Sequence, residues 1–210
     1  FSSLRHSPAS VMLLPMKLLA VDKTAMDYWS ANAGCAWNAQ RLRPFCAPVR
    51  PPDPEKATHL CRSFSAPPFH VLISEARGLR RAGTLQCHRH AGFLPSGSFI
   101  RVEADLCVAT PEYLFLRAAA HLELLHLIAF GYRLCGTYFP AGNLSGRSLS
   151  STAKLSRYLE RCTGVRGVKK ARRAMAHVLD NAASPREAAV AMKLTLPCRM
   201  GGYGLPHPVL

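Results

Sequence analysis

The periodicity of the chain changes at Thr110, and this change limits the folds open to it. Before Thr110 lie short strand-like pieces, "FHVLIS" (69–74), "TLQCHRH" (84–90), "SFIRVE" (98–103) and "DLCVAT" (105–110), separated by "RGLRRAG" and "GFLPSG". After it, Leu114, Phe115, Ala118, Leu122, Leu125 and Ile128 recur at helical spacing. Thr110 is suited to cap that helix, Pro111 gives up no hydrogen bond at the first helical position, and Glu112 complements the positive helix end. Gly131 is the expected stop. Strands followed by helices imply an α+β fold. Turns this short leave no room for a crossover of a dozen residues, so the expected architecture is a small antiparallel β unit followed by a mainly helical C-terminal part.

Three helices are expected beyond the Gly- and Ser-rich "RLCGTYFPAGNLSGRS", over 151–162, 166–182 and 185–196, the last closed by Pro197 and the glycines at 201 and 202. Residues 1–66 have a weaker pattern. There "DKTAMDYWSANAG" fits a short helix with Asp22 or Thr24 near its start and Gly34 as its stop, while "RLRPFCAPVRPPDPEKA" holds five prolines and reads as an extended linker. The expected organisation is an N-terminal segment with a Pro-rich linker (1–66), an α+β unit (67–147) and a basic helical segment (148–210).

Charge is concentrated in that last segment. The chain carries 27 Lys and Arg against 12 Asp and Glu, a formal net charge of +15, which favours polyanionic partners. Between Ser151 and Arg173 stand Lys154, Arg157, Arg161, Arg166, Lys169, Lys170, Arg172 and Arg173 against Glu160 alone, which is seven of those fifteen charges. At about 100° per residue, Val168, Ala171, Ala174, Met175, Val178 and Leu179 fall on one arc of a helix, and Arg166, Lys169, Lys170, Arg172, Arg173 and His177 on the other. Like charges on a helix repel by a few tenths of a kcal/mol per pair. A polyanion relieves that repulsion, so these eight residues are the candidate phosphate contacts. No base-reading spacing accompanies them, and backbone contact is the expected mode.

Glu187 has a local explanation. Ser184, Pro185 and Glu187 make a capping box, with the Ser oxygen accepting the third N–H and the carboxylate reaching back to the Ser184 N–H. The eight cysteines contain no C-x-x-C pair, and disulfides are not expected in a reducing compartment. In "CHRH" (87–90), His88 and His90 share one face of a strand and Cys87 and Arg89 the other. Two histidines fall short of a zinc site, and a half-exposed strand is the simpler reading. His121 and His126 are expected at the edge of the helix core or within it. The most apolar stretch, "YLFLRAAAHLELLHLIAF", is interrupted by Arg117, His121 and Glu123, so no membrane span is expected. "SVMLLPMKLLAV" contains Pro15 and Lys17 and no evident cleavage site, and a cytoplasmic location is the expectation.

The phrases "VATPEYLFLRAA", "RLCGTY", "RGVKKARRA", "ASPREA" and "GGYGLP" together resemble the upstream portion of bacterial proteins carrying a very-short-patch-repair-like endonuclease domain, whose front half is similar to AbiEi-type abortive-infection antitoxins. The likeness covers roughly residues 67–210. It implies a DNA-associated, nuclease-type defence or repair protein in which Glu187 is the first acidic residue of a PD-(D/E)xK site. It also implies that an Asp and a Glu-x-Lys pair lie further on, where they bind Mg²⁺ and activate water. On that reading these residues are a fragment that needs no cofactor and cleaves nothing alone, and Mg²⁺ enters only with the downstream core. The other reading is an antitoxin-like module whose basic stripe meets an acidic partner protein.

Overall fold

The computed structural model describes residues 18–32, 41–43, 45–47, 52–74, 83–90, 93–138 and 147–206. Strands β1 (Leu18–Ala20), β3 (Phe69–Ile73), β4 (Leu85–Arg89), β6 (Phe99–Arg101) and β7 (Leu106–Ala109) form one sheet in the order β4-β3-β1-β7-β6. Strands β2 (Phe45–Cys46) and β5 (Phe93–Leu94) form a separate antiparallel pair. Seven α-helices lie among the described residues: α1 (Asp22–Ala31), α2 (Pro54–Cys61), α3 (Pro111–Ala119), α4 (Leu124–Cys135), α5 (Thr152–Arg161), α6 (Val168–Met175) and α7 (Pro185–Thr195). The fold is α+β, with the sheet in the N-terminal half and most helices in the C-terminal half.

The sheet is mixed, which corrects the antiparallel expectation. β1 pairs antiparallel with β3 but parallel with β7, and β3 pairs parallel with β4. The reason lies in two places. The β3–β4 connection, residues 74–84, is close to the length a parallel return needs. The central strand β1 comes from an apolar run that carried no alternating signal, and all three of its residues are buried, as befits a strand covered on both faces. β4 is an edge strand with Cys87 and His88 half-buried and Arg89 exposed, in keeping with the half-exposed reading.

α2 replaces part of the expected linker. Asp53 caps it through a side-chain oxygen that accepts from the Lys56 N–H at 3.4 Å, and Pro54 occupies the first position. The arrangement repeats that of α3, where Thr110 Oγ1 accepts from the Tyr113 N–H at 3.4 Å. The expected stop of α1 at Gly34, the "RGLRRAG" turn before Gly83 and the loop at 139–146 lie outside the described residues. α1 ends at Ala31 within the described chain.

The long helix expected after Thr110 is two helices. It breaks at 120–123, and Gly131, the expected stop, lies inside α4. The break resets the helical phase. Leu122 and Leu125, expected on the buried face, are 36% and 43% exposed, Ile128 is buried as expected, and Leu127, Tyr132 and Leu134 are buried with it. His121 and His126 are exposed. Gly131 matters for packing, because a Cβ there would stand 2.5 Å from Val178 Cγ2. Helix α6 is shorter than expected, ending at Met175, with a turn up to Val178.

One cluster of buried residues runs from Leu18 to Leu196. Trp29 of α1 donates its indole N–H to the Ala109 carbonyl at 2.8 Å, tying the helix to β7. Glu112, 1% exposed, accepts from Ser150 Oγ at 2.8 Å and Arg41 Nη1 at 3.3 Å. No helix among the described residues is long and apolar enough to cross a membrane.

Gly167, at the start of α6, has φ +89°, and a Cβ there would lie 2.9 Å from the Ala120 nitrogen and 3.0 Å from the Ala119 carbonyl carbon. Both contacts are with backbone, which cannot swing aside. Gly167→Ala is expected to destabilise by about 2–3 kcal/mol, a fall in Tm of about 5–10 °C for a chain of this size. A thermal melt within about 1 °C of the wild type would contradict this seating of α6.

Candidate functional site

The basic face is built by α5, the loop after it, and α6. Ser151 Oγ caps α5 by accepting from the Lys154 N–H at 3.3 Å, and Leu155, Tyr158 and Leu159 are buried. Lys154, Arg157 and Arg161 stand on the exposed side. In α6, Val168, Ala171 and Ala174 are buried against α3, α4 and α5, leaving Lys169, Arg172 and Arg173 exposed and Lys170 half-buried. Arg166, also exposed, belongs to the α5–α6 loop.

The eight cations divide by partner. Lys170 Nζ donates to the Leu122 carbonyl at 2.8 Å, in the turn between α3 and α4, and Arg172 Nη2 donates to the Leu159 carbonyl at 2.8 Å, in the last turn of α5. Arg172 meets a carbonyl in the C-terminal turn of α5, where partial negative charge accumulates, and Lys170 meets one in the turn between α3 and α4. Arg161 lies 5.9 Å from the centre of the Tyr158 ring. Repulsion along α6 is therefore partly offset inside the protein, a source of relief that backbone acceptors make invisible in sequence. Arg157, Arg161, Arg166, Lys169 and Arg173 form no ion pair among the described residues.

Arg166 also borders a cleft of about 510 Å³ that runs between the α5–α6 loop, the end of β4 and the C-terminal turn of α3. Three arginines (Arg89, Arg117 and Arg166) and three histidines (His88, His90 and His121) line it, so its walls are cationic or neutral, with no acidic side chain among them.

Glu187 is a cap. Its N–H donates to Ser184 Oγ at 3.1 Å, and its carboxylate accepts from the Ala183 N–H at 2.6 Å, one residue earlier than the expected Ser184 N–H. Among the described residues it belongs to no group of three or more potential metal ligands. The nearest acid in sequence, Asp180, is occupied elsewhere, accepting from the Thr152 backbone N–H at 2.8 Å and the Thr152 hydroxyl. Among the described residues only Asp22, His70 and His88 are grouped as metal ligands could be.

That group was not assembled from sequence. Asp22 begins α1 but does not cap it, and it has φ +48°, a left-handed conformation that Asp tolerates better than most residues. Its carboxylate accepts from Arg117 Nε at 2.8 Å and Nη2 at 2.7 Å, a bidentate pair between α1 and α3. His88 Nε2 lies 3.2 Å from Asp22 Oδ2 and 3.1 Å from His70 Nδ1, with the two rings stacked at 5.0 Å. Thr24, the other expected start of α1, accepts from the His70 backbone N–H through Oγ1 at 2.8 Å.

Burial pushes the His88 ring down to about 4 and also lowers His70, in both cases against the pull of Asp22. Both rings are then neutral at pH 7, so the 3.2 Å approach of His88 Nε2 to Asp22 is not an ion pair at that pH. Burial works against the charge of Asp22, but the Arg117 guanidinium, aided by the histidines, holds its carboxyl below the ordinary carboxylate value. The six cysteines with described side chains (61, 87, 107, 135, 162 and 198) are free thiols. Burial raises Cys87, which stays protonated.

No family model, no curated protein and no solved structure matches this chain.

Arg117 is largely buried, with its side chain 11% exposed, and depends on Asp22 for compensation. Asp22→Asn is expected to cost about 2–3 kcal/mol in urea unfolding, and Arg117→Met in the same background should recover part of it, since the uncompensated cation is what costs. A single-variant cost below about 0.5 kcal/mol would show that the pair is only a surface contact.

Proposed function

We propose that the α5–α6 region holds the phosphate backbone of a nucleic acid, DNA in the first instance, as part of a nuclease-type defence or repair protein of the kind the sequence resembles. The observation that carries this reading is the exposure of Arg157, Arg161, Arg166, Lys169 and Arg173 without an ion-pair partner among the described residues. Two helices packed on each other hold Arg157, Arg161, Lys169 and Arg173, with Arg166 in the loop between them, and Val168, Ala171 and Ala174 fix which side of α6 faces outward. The adjoining cleft, with Arg89, Arg117 and Arg166 on its walls, offers room of the same polarity for a phosphate or an unstacked nucleotide. Lys154 lies on α5 beside this path, whereas Lys170 and Arg172 meet backbone carbonyls first.

Contacts of this kind are indifferent to base sequence. Glu187 serves α7 as a cap, and its role as a metal ligand, drawn from the resemblance alone, requires an Asp and a Glu-x-Lys pair to join it. Mg²⁺ and phosphodiester cleavage belong to that larger core, and the described region supplies binding.

Four or five phosphate contacts release counterions, so affinity for a short duplex should fall by about two orders of magnitude or more between 50 and 200 mM salt, read by fluorescence anisotropy. Combining Arg157→Gln, Arg166→Gln, Lys169→Gln and Arg173→Gln should remove most of that slope and weaken binding to all sequences alike. A flat salt response, or a slope unchanged in the fourfold variant, contradicts the proposal. Loss of an acidic protein partner in the fourfold variant, with DNA binding intact, points instead to the antitoxin-like role.

A further inference from the structure

We propose that Asp22, His70 and His88 form a binding site for a divalent transition metal ion of the zinc type, separate from any magnesium centre that would involve Glu187. Three elements deliver the ligands: the first residue of α1, strand β3 and strand β4. β3 and β4 run parallel with Leu72 opposite His88, so His70, two residues before Leu72, points to the same face of the sheet as His88. β1 leads through Val21 to Asp22, whose left-handed backbone leaves the strand alternation and whose carboxylate lies 3.2 Å from His88 Nε2.

The distances suit an ion. His88 Nε2 is 3.1 Å from His70 Nδ1 and 3.2 Å from Asp22 Oδ2, and the three ligand atoms lie within 4.8 Å of one another. A tetrahedral ion with bonds of about 2.0–2.1 Å holds its ligand atoms about 3.3 Å apart, close to both distances measured from His88 Nε2. Without an ion, a single N–H on one of the facing ring nitrogens must serve the contact between them and the approach to Asp22. A metal ion takes the place of that proton and engages all three atoms together.

The surroundings are those of a supported site. Arg117 grips Asp22 through both carboxylate oxygens, the kind of outer hydrogen bonding that orients a ligating carboxylate. Thr24 holds the His70 backbone. Cys87, the next residue to His88, points to the opposite face of β4, which makes the donor set two nitrogens and one oxygen without thiolate. Three protein ligands leave a coordination position for water, as in sites where zinc is accessible to small molecules. His88 and Arg117 line both the cleft described above and a second one of about 400 Å³, so solvent reaches the cluster's surroundings.

The test is titration of the metal-free chain with Zn²⁺ by calorimetry and with Co²⁺ by visible absorption. One equivalent should bind, with a cobalt spectrum free of thiolate charge-transfer bands. His70→Gln and His88→Gln should each lower affinity tenfold or more, while Cys87→Ser and His121→Gln change it less than twofold. Because either histidine variant could disturb folding, the unaltered protein gives a second reading. In NMR spectra of the histidine ring nitrogens, one equivalent of Zn²⁺ should shift two of the nine histidines, one through Nδ1 and one through Nε2. Undiminished affinity in folded histidine variants, thiolate bands in the cobalt spectrum, or no paired ring shift in the unaltered protein overturns the proposal. Nucleic-acid binding does not enter any of these readings, so the metal site stands or falls apart from the phosphate-binding proposal.

Discussion

Helix α6 can present a concentrated positive side because its other side is fixed by backbone-close contact. Gly167 abuts the Ala119–Ala120 backbone, and Val178, just past the helix, fills the space left by Gly131 of α4. Glycine at both places lets elements approach to distances that a Cβ would forbid. The break between α3 and α4 belongs to the same arrangement, since Lys170 reaches from α6 into that corner and donates to the Leu122 carbonyl. Arg172 does likewise for the end of α5. Two of the cations on α6 thus hold helices together, and the others are left facing outward.

A second tie joins the sheet to the helices. Asp22 leaves the central strand β1, adopts a left-handed conformation and receives Arg117 from α3. The same carboxylate faces the two histidines of β3 and β4. One side chain therefore connects the helical layer, the sheet and the proposed metal site. The cleft bordered by His88, Arg117 and Arg166 lies between this cluster and the basic face, so the two sites neighbour each other and both border on Arg117.

Local signals were the legible ones. Thr110-Pro111 and Ser184-Pro185 mark the starts of α3 and α7, and both caps form through the expected oxygens. Asp53-Pro54-Glu55 carries the same signature and starts α2, but the surrounding prolines masked it. Strand positions were readable, whereas their pairing was not. β1 has three residues and no alternation, and its parallel partner β7 lies more than eighty residues away. The proposed ligand set shares that difficulty: His70 and His88 meet only because β3 and β4 are parallel, and Asp22 looks like an ordinary helix-start residue. Of the eight cations, sequence placed Arg166, Lys169, Lys170, Arg172 and Arg173 on one arc without telling which meet backbone carbonyls, since a carbonyl acceptor leaves no mark on residue type.

The division of labour on α6 is tested most directly by measuring unfolding free energy and DNA affinity for four single variants: Lys169→Gln, Lys170→Gln, Arg172→Gln and Arg173→Gln. Lys170→Gln and Arg172→Gln should each lower stability by about 1 kcal/mol and leave affinity within about twofold, since each loses a charge-assisted hydrogen bond to a carbonyl. Lys169→Gln and Arg173→Gln should leave stability within about 0.5 kcal/mol and each reduce the salt slope by about one. The opposite pattern, with Lys170 and Arg172 governing affinity and Lys169 and Arg173 governing stability, would contradict the account.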